Sequence, residues 1–156
     1  MYSNAPKDYI CPICSALNGL DNDVTWVKKT DIIYRDELVL ANISPKFIPG
    51  NEGHVIVVPT KHYESLYDLP SAYGHRIFDM AQKVALALKK FRKCDGVTLV
   101  QNNEPAGDQH AFHYHLHIIP RFKNDNFHEA LWKTELSRPE DRIEYTKLLR
   151  GSLLKI

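Results

Sequence analysis

The chain has 156 residues, the length of one domain and enough to bury a core. Twenty basic against nineteen acidic side chains leave a formal charge of +1, which gives no electrostatic reason to expect a nucleic acid as partner. No run approaches the ~18 apolar residues of a membrane span, and the polar Met1 to Asp8 segment lacks the apolar stretch of a secretory signal, so a globular, cytoplasmic chain without a membrane partner is expected.

In chain order, the first chemical feature is Cys11, Pro12, Ile13, Cys14. In a cytoplasmic chain with three cysteines this spacing is half of a tetrahedral thiolate metal site rather than part of a disulfide framework; Cys94 is a small hydrophobe at a helix end. Two further ligands are required. His54, His62, His75, His113, His128 and Cys94 all qualify, and spacing does not choose among them.

Asp31 to Arg35 and Leu38 to Ile43, rich in Ile and Val and separated by Asp36 and Glu37, predict a two-stranded hairpin. A polar turn from Gly50 to Gly53 leads into His54 to Val58, an apolar run stopped by Pro59 and so a buried strand. After Ser71 the residues Ile77, Ala81, Val84, Ala85, Leu88 and Phe91 recur at helical spacing, giving a long helix with a sheet-facing stripe. Lys89, Lys90, Arg92 and Lys93 oppose the negative end of its dipole, and Gly96 is placed to terminate it. Val97 to Val100 reads as a strand, Asn102 to Gln109 as a polar loop, Ala111 to Pro120 as another strand, and Pro139 to Leu149 as a short helix. No repeat or linker interrupts residues 1–156, so one domain is expected. It is of α+β class: an antiparallel sheet of about five strands, one long helix packed on it and short terminal helices.

Residues 113 to 119 alternate histidine with apolar or aromatic residues. Strand periodicity puts His113, His115 and His117 on one face and Tyr114, Leu116 and Ile118 on the other, so one face is chemical and the other core. Three imidazoles in a row are a poor structural choice, because burying them demands partners for all their ring nitrogens. As a metal site the row is limited: alternate residues are about 6.6 Å apart, His113 and His117 about 13 Å apart, and at most two of the three can share an ion. The third is free for nucleophilic work at phosphorus, for which neutral imidazole is suited and the central His115 best placed. A neighbouring imidazole supplies charge stabilisation or acid-base help, and Asn102, Gln109 and the backbone at Gly107 add donors from the preceding loop.

The stretch Asn102 to Gln109 followed by His113 to Arg121 resembles the histidine-triad (HIT) family, whose signature is His-x-His-x-His followed by two apolar residues. Gly53 to Pro59 is similar to that family's second nucleotide-site strand, and Cys11 to Cys14 with Ala16 to Gly19 to its zinc-bearing N-terminus. The similar segments span 10 to about 123, leaving 124–156 as a C-terminal extension.

The resemblance implies a HIT-like fold with His115 as nucleophile and His117 and His54 lining the phosphate site. Asn102 and Gln109 fall at phosphate-contacting positions and Ile43 where the nucleoside is held. Asn42 stands where many members place an aspartate against the ribose hydroxyls, while Asp108 replaces a frequent glycine and His110 a hydroxyl residue or valine. Similarity around Pro59 to His62 implies that a structural zinc is held by Cys11, Cys14, His62 and His113. A homodimer with joined sheets is implied as well. The implied activity cleaves a nucleoside phosphoramidate, a phosphoester or a dinucleoside polyphosphate through a nucleotidyl-His115 intermediate, with a purine nucleotide or its conjugate as ligand. The alternatives are a nucleotide-binding regulatory or scaffold protein with little catalysis, and a metallohydrolase with the histidines around an open metal.

Overall fold

The computed structural model describes residues 3–153. The short helix α1 (Pro12–Leu17) starts at Cys11, whose sulfur accepts the Cys14 N–H, with Pro12 in the first turn where a missing N–H costs nothing. Strands β1 (Ile32–Arg35) and β2 (Val39–Ile43) form the expected hairpin. There follow β3 (Lys46–Phe47), β4 (Val55–Pro59), the long helix α2 (Ser71–Arg92), β5 (Gly96–Gln101), β6 (Leu116–Arg121), α3 (Phe127–Ala130), β7 (Glu135–Leu136) and α4 (Pro139–Leu153). Five strands make one sheet in the order β1-β2-β4-β6-β5 with every neighbour antiparallel, and β3 and β7 pair separately.

The period-two rule divides the large sheet cleanly. Val39, Ala41, Ile43, Val55, Val57, Leu116 and Ile118 face α2, where Ile77, Met80, Ala81, Val84 and Leu88 complete the core. Each such aliphatic side chain contributes roughly 1.5–3 kcal/mol on burial. The opposite face carries Leu40, Ile56 and Val58, which pack with Leu17, Ile13 and Ile32 from α1 and β1. One row crosses all five strands on that face: Ile32, Asn42, Ile56, His117 and Val100 stand opposite one another in turn.

Three boundaries differ from expectation. The histidine strand begins at Leu116 rather than Ala111. Its partner β4 ends at Pro59, which has no N–H to extend the ladder, and the approaching chain instead bonds through Tyr114 N–H to Tyr63 O (2.6 Å). Helix α2 stops at Lys93 and not through Gly96: Lys93 takes the left-handed conformation (φ 50°), while Gly96 opens β5. The C-terminal helix is longer than expected and packs against α2, β1 and β2. Its Arg142 is fully buried and donates to Asp31 Oδ1 (2.9 Å), Ser137 O (2.8 Å) and Trp26 O (3.2 Å). Gly53 (φ +76°) admits α4 closely, since a Cβ there would meet the Tyr145 ring at 2.5 Å. Among the described residues no helix is long and apolar enough to cross a membrane.

Candidate functional site

His54, just before β4, His117 on β6 and His115, just upstream of it, form one imidazole cluster on the sheet face opposite α2. The His115 and His117 ring centroids are 5.1 Å apart and those of His117 and His54 5.4 Å. His115 Nδ1 lies 2.7 Å from the carbonyl oxygen of His113. A carbonyl only accepts, so Nδ1 carries the proton and Nε2 keeps its lone pair. Burial lowers the pKa of His115, the bond to His113 O opposes this, and the charge of nearby His110 lowers it further. His117 Nδ1 faces His54 Nε2 at 3.3 Å, where one nitrogen donates and the other accepts. Burial pushes His54, 3% exposed, down to about 4; burial and its two imidazole neighbours hold His117 well below the usual histidine range. All three rings are therefore neutral near pH 7, and His54 Nδ1 is buried with no hydrogen-bond partner among the described residues.

The loop feeding this cluster is braced rather than slack. Asn102 Nδ2 donates to Asp108 O (3.2 Å), and Asn103 Oδ1 accepts the Leu66 N–H (2.8 Å). Glu104 (φ 62°) and Asp108 (φ 64°) both occupy backbone regions that favour glycine, at a cost of order 1–3 kcal/mol each. Gln109 braces the loop as well. It is buried, with Nε2 on Glu64 O (2.6 Å) and Ala111 O (3.1 Å) and Oε1 on the Glu104 N–H (2.8 Å), so it holds the loop in shape.

On the same sheet face, reached from His117 across Ile56, lies a cavity of about 260 Å³ whose walls include Ile13, Leu17, Ile32, Leu40, Asn42 and Val58. Asn42 donates Nδ2 to Ile43 O (2.7 Å), which leaves Oδ1 as its acceptor. Two strand spacings, about 9.6 Å, separate Asn42 from His117 along the row. Ile43 does not line this cavity. As the neighbour of Asn42 in a strand it must point to the opposite face, and it sits in the core under α2.

At the other end of the histidine segment, Cys11, Cys14, His62 and His113 bring one ligand atom each within 4.8 Å of one another. Cys11 Sγ to His113 Nδ1 is 3.5 Å, Cys14 Sγ to His62 Nδ1 3.3 Å and Cys14 Sγ to His113 Nδ1 3.5 Å. A sulfur at about 2.3 Å and a nitrogen at about 2.05 Å from one tetrahedral ion stand roughly 3.5 Å apart, so this donor set fits zinc. His113 Nε2 donates to Pro59 O (3.1 Å), which turns the Nδ1 lone pair toward the thiols. Burial first, and then the adjacent Cys11 sulfur, push the Cys14 thiol up to about 12, so a thiolate pair here calls for a cation.

Comparison with known proteins decides the kinship. The HIT domain model matches residues 26–124. The chain belongs to the HIT family. A curated relative from Bacillus subtilis, Protein hit, is 34% identical over 134 residues, covering 84% of this chain and 86% of the relative. Adenylylsulfatase HINT3 from Arabidopsis thaliana is 30% identical over 106 residues, 68% of this chain and 51% of that protein. The crystal structure of a Zn-bound histidine triad family protein from Mycobacterium smegmatis superposes with a TM-score of 0.73 at 27% identity, over 93% of this chain and 94% of that one.

The HIT match covers the imidazole cluster, His62 and Asn42, but neither Cys11 and Cys14 nor α4. The cavity walls Leu40 and Val58 were not singled out by sequence. Their signal was parity: Leu40 lies two residues from Asn42 and Val58 four from His54, which puts each pair on one face.

Proposed function

We propose that this chain is a single-domain cytoplasmic nucleotide hydrolase or transferase that works through a nucleotidyl-His115 intermediate. The observation that carries this reading is the 2.7 Å bond from His115 Nδ1 to His113 O, which keeps Nε2 as a neutral nucleophile. The ribose sits at Asn42 Oδ1 and the phosphate at His115 and His117, with Asn102 at the rim. In the first step Nε2 attacks phosphorus, the P–N bond to His115 forms, and the P–O or P–N bond to the leaving group breaks with its electron pair, an amine or hydroxyl leaving group taking a proton from water. Positive charge developing on the ring is spread through Nδ1–H onto His113 O. In the second step water, or another acceptor, attacks phosphorus and gives up a proton to solvent as Nε2 departs, which regenerates the neutral imidazole. His117 lines the phosphate side with His54 behind it: when His54 Nε2–H donates to His117 Nδ1, the His117 Nε2–H is left to donate to a nonbridging oxygen. The Arabidopsis relative's name supports a nucleotide conjugate as substrate, with a purine nucleotide as the part recognised.

Cys11, Cys14, His62 and His113 would hold a structural zinc. Four protein ligands close the coordination sphere, which supports a structural ion over metal-activated water. The edge of β5, which no further strand pairs with among the described residues and which carries the exposed Leu99, together with exposed Phe78 and Leu86 on α2, supports a homodimer joined along that edge. The test is His115→Ala assayed on adenosine phosphoramidate, adenylyl-lysine and dinucleoside polyphosphates, with intact-mass detection of an adduct on the wild type. Loss of turnover with AMP binding retained, plus an adduct, supports the enzyme. Tight nucleotide binding with neither turnover nor adduct supports the regulatory binder instead, and undiminished turnover in the variant rejects the assignment of His115.

A further inference from the structure

The cavity is apolar along most of its length and charged at one end. Following the row from His117 through Ile56 and Asn42 leads to Ile32, about 14 Å away by strand spacing. The chain entering β1 there brings in Lys28 and Lys29, and the segment after α1 brings Asp21 against them; all three line the cavity. Lys28 Nζ contacts the Asp21 carboxylate through Oδ1. With Lys28 36% and Asp21 77% exposed, an ion pair of this kind adds at most about 1 kcal/mol to stability, so folding alone gives little reason for it. As an ordinary surface pair it would need no explanation. Its position at the far end of a slot between apolar walls is what singles it out.

Laid along this row, a nucleotide would have its phosphorus at His115, its ribose at Asn42 and its base against the wall that Leu17 and Leu40 share, with the outer edge of the base facing Asp21 and Lys28. We propose that these two residues read that edge and make the site prefer guanine; the proposal rests on the nucleotide-binding reading above. Guanine presents two adjacent donors, N1–H and the 2-amino group, next to the acceptor O6. A carboxylate accepts the two donors and the ammonium beside it donates to O6. Adenine offers a lone pair at N1, which opposes a carboxylate, and has no 2-amino group. Hypoxanthine keeps N1–H and O6 and lacks only the 2-amino group. A site that makes such hydrogen bonds disfavours the base lacking the matching groups, and exposure of the carboxylate to water holds the effect to about tenfold, or 1.4 kcal/mol.

The experiment is calorimetric titration of the full-length protein with GMP, IMP and AMP. Binding of GMP about tenfold tighter than AMP, with IMP between them, is expected. Asp21→Ala, at an exposed position, brings GMP to within about twofold of AMP, and Lys28→Met, which keeps the apolar stem, loosens GMP more than AMP. Near-universal loss of affinity for both nucleotides in a variant with altered near-UV circular dichroism would be damage to the fold, and the wild-type GMP, IMP and AMP ranking then decides alone. Equal affinities for GMP and AMP in the wild type, or a guanine preference that survives Asp21→Ala, overturn the proposal while leaving the nucleotide reading intact. Failure of all three to bind overturns both.

Discussion

Arg142→Met tests how the C-terminal helix is held. Arg142 and Asp31 are 1% and 0% exposed, and the guanidinium makes four hydrogen bonds that methionine cannot make. The substitution keeps most of the apolar stem but leaves the Asp31 carboxylate buried with, among the described residues, only the Lys28 N–H at 2.7 Å as a donor. Breaking a buried pair from one side costs about 3–5 kcal/mol. With an m-value of about 2 kcal/mol/M for a protein of this size, the urea midpoint falls by about 1.5–2.5 M. Urea denaturation followed by far-UV circular dichroism measures this. Arg142→Met combined with Asp31→Leu removes the stranded charge and recovers at least half of the loss. A drop below about 1 kcal/mol in the single variant, or a double variant no more stable than the single, would refute the reasoning.

Gly53→Ala combines a ring contact at 2.5 Å with a backbone at φ +76°, for a loss of about 2–4 kcal/mol by denaturation; adding Tyr145→Ala removes the clash, so the double variant's cost relative to Tyr145→Ala alone is only the backbone part, about 1 kcal/mol. Asp125 is held well below the usual carboxylate range first by the Arg121 guanidinium at 2.7 Å, so the unfolded chain takes up its proton at higher pH than the folded one. Its contribution is therefore present above the ordinary value near 3.9 and lost as pH falls toward the folded value, and Asp125→Asn flattens the stability curve across that acid window. Stripping zinc-loaded protein with a strong chelator lowers its thermal midpoint by several degrees, and Cys14→Ser abolishes that difference between treated and untreated samples.

Much of the fold was open to reading from periodicity, because β2, β4 and β6 each have one face covered by α2 and a slip of one residue would expose Val39, Val57 or Ile118. Less legible were features set by partners distant in the chain. Nothing local to Arg142 announces Asp31, 111 residues away, and Gln109 has the same composition whether its amide meets a phosphate or Glu64 O. The start of β6 depended on Pro59 in a different strand. Ile43 needs only local parity: as the neighbour of Asn42 in β2 it turns its side chain to the core face under α2.

The histidine segment shows how one chain direction serves two sites. His113 points its ring Nδ1 toward Cys11 and Cys14 and anchors Nε2 on Pro59 O, while its own carbonyl oxygen accepts the proton on His115 Nδ1. A side chain fixed at three points leaves its backbone little freedom, so the carbonyl that selects the His115 tautomer is held by the same contacts that shape the thiol cluster. This gives a physical reason for the segment to leave the ladder before Leu116. Within a regular strand the His113 carbonyl would be committed to a neighbouring strand or to solvent; released from it, the carbonyl turns to the ring two residues on. The departure of 111–115 from strand geometry is thus what sets the protonation of the central imidazole.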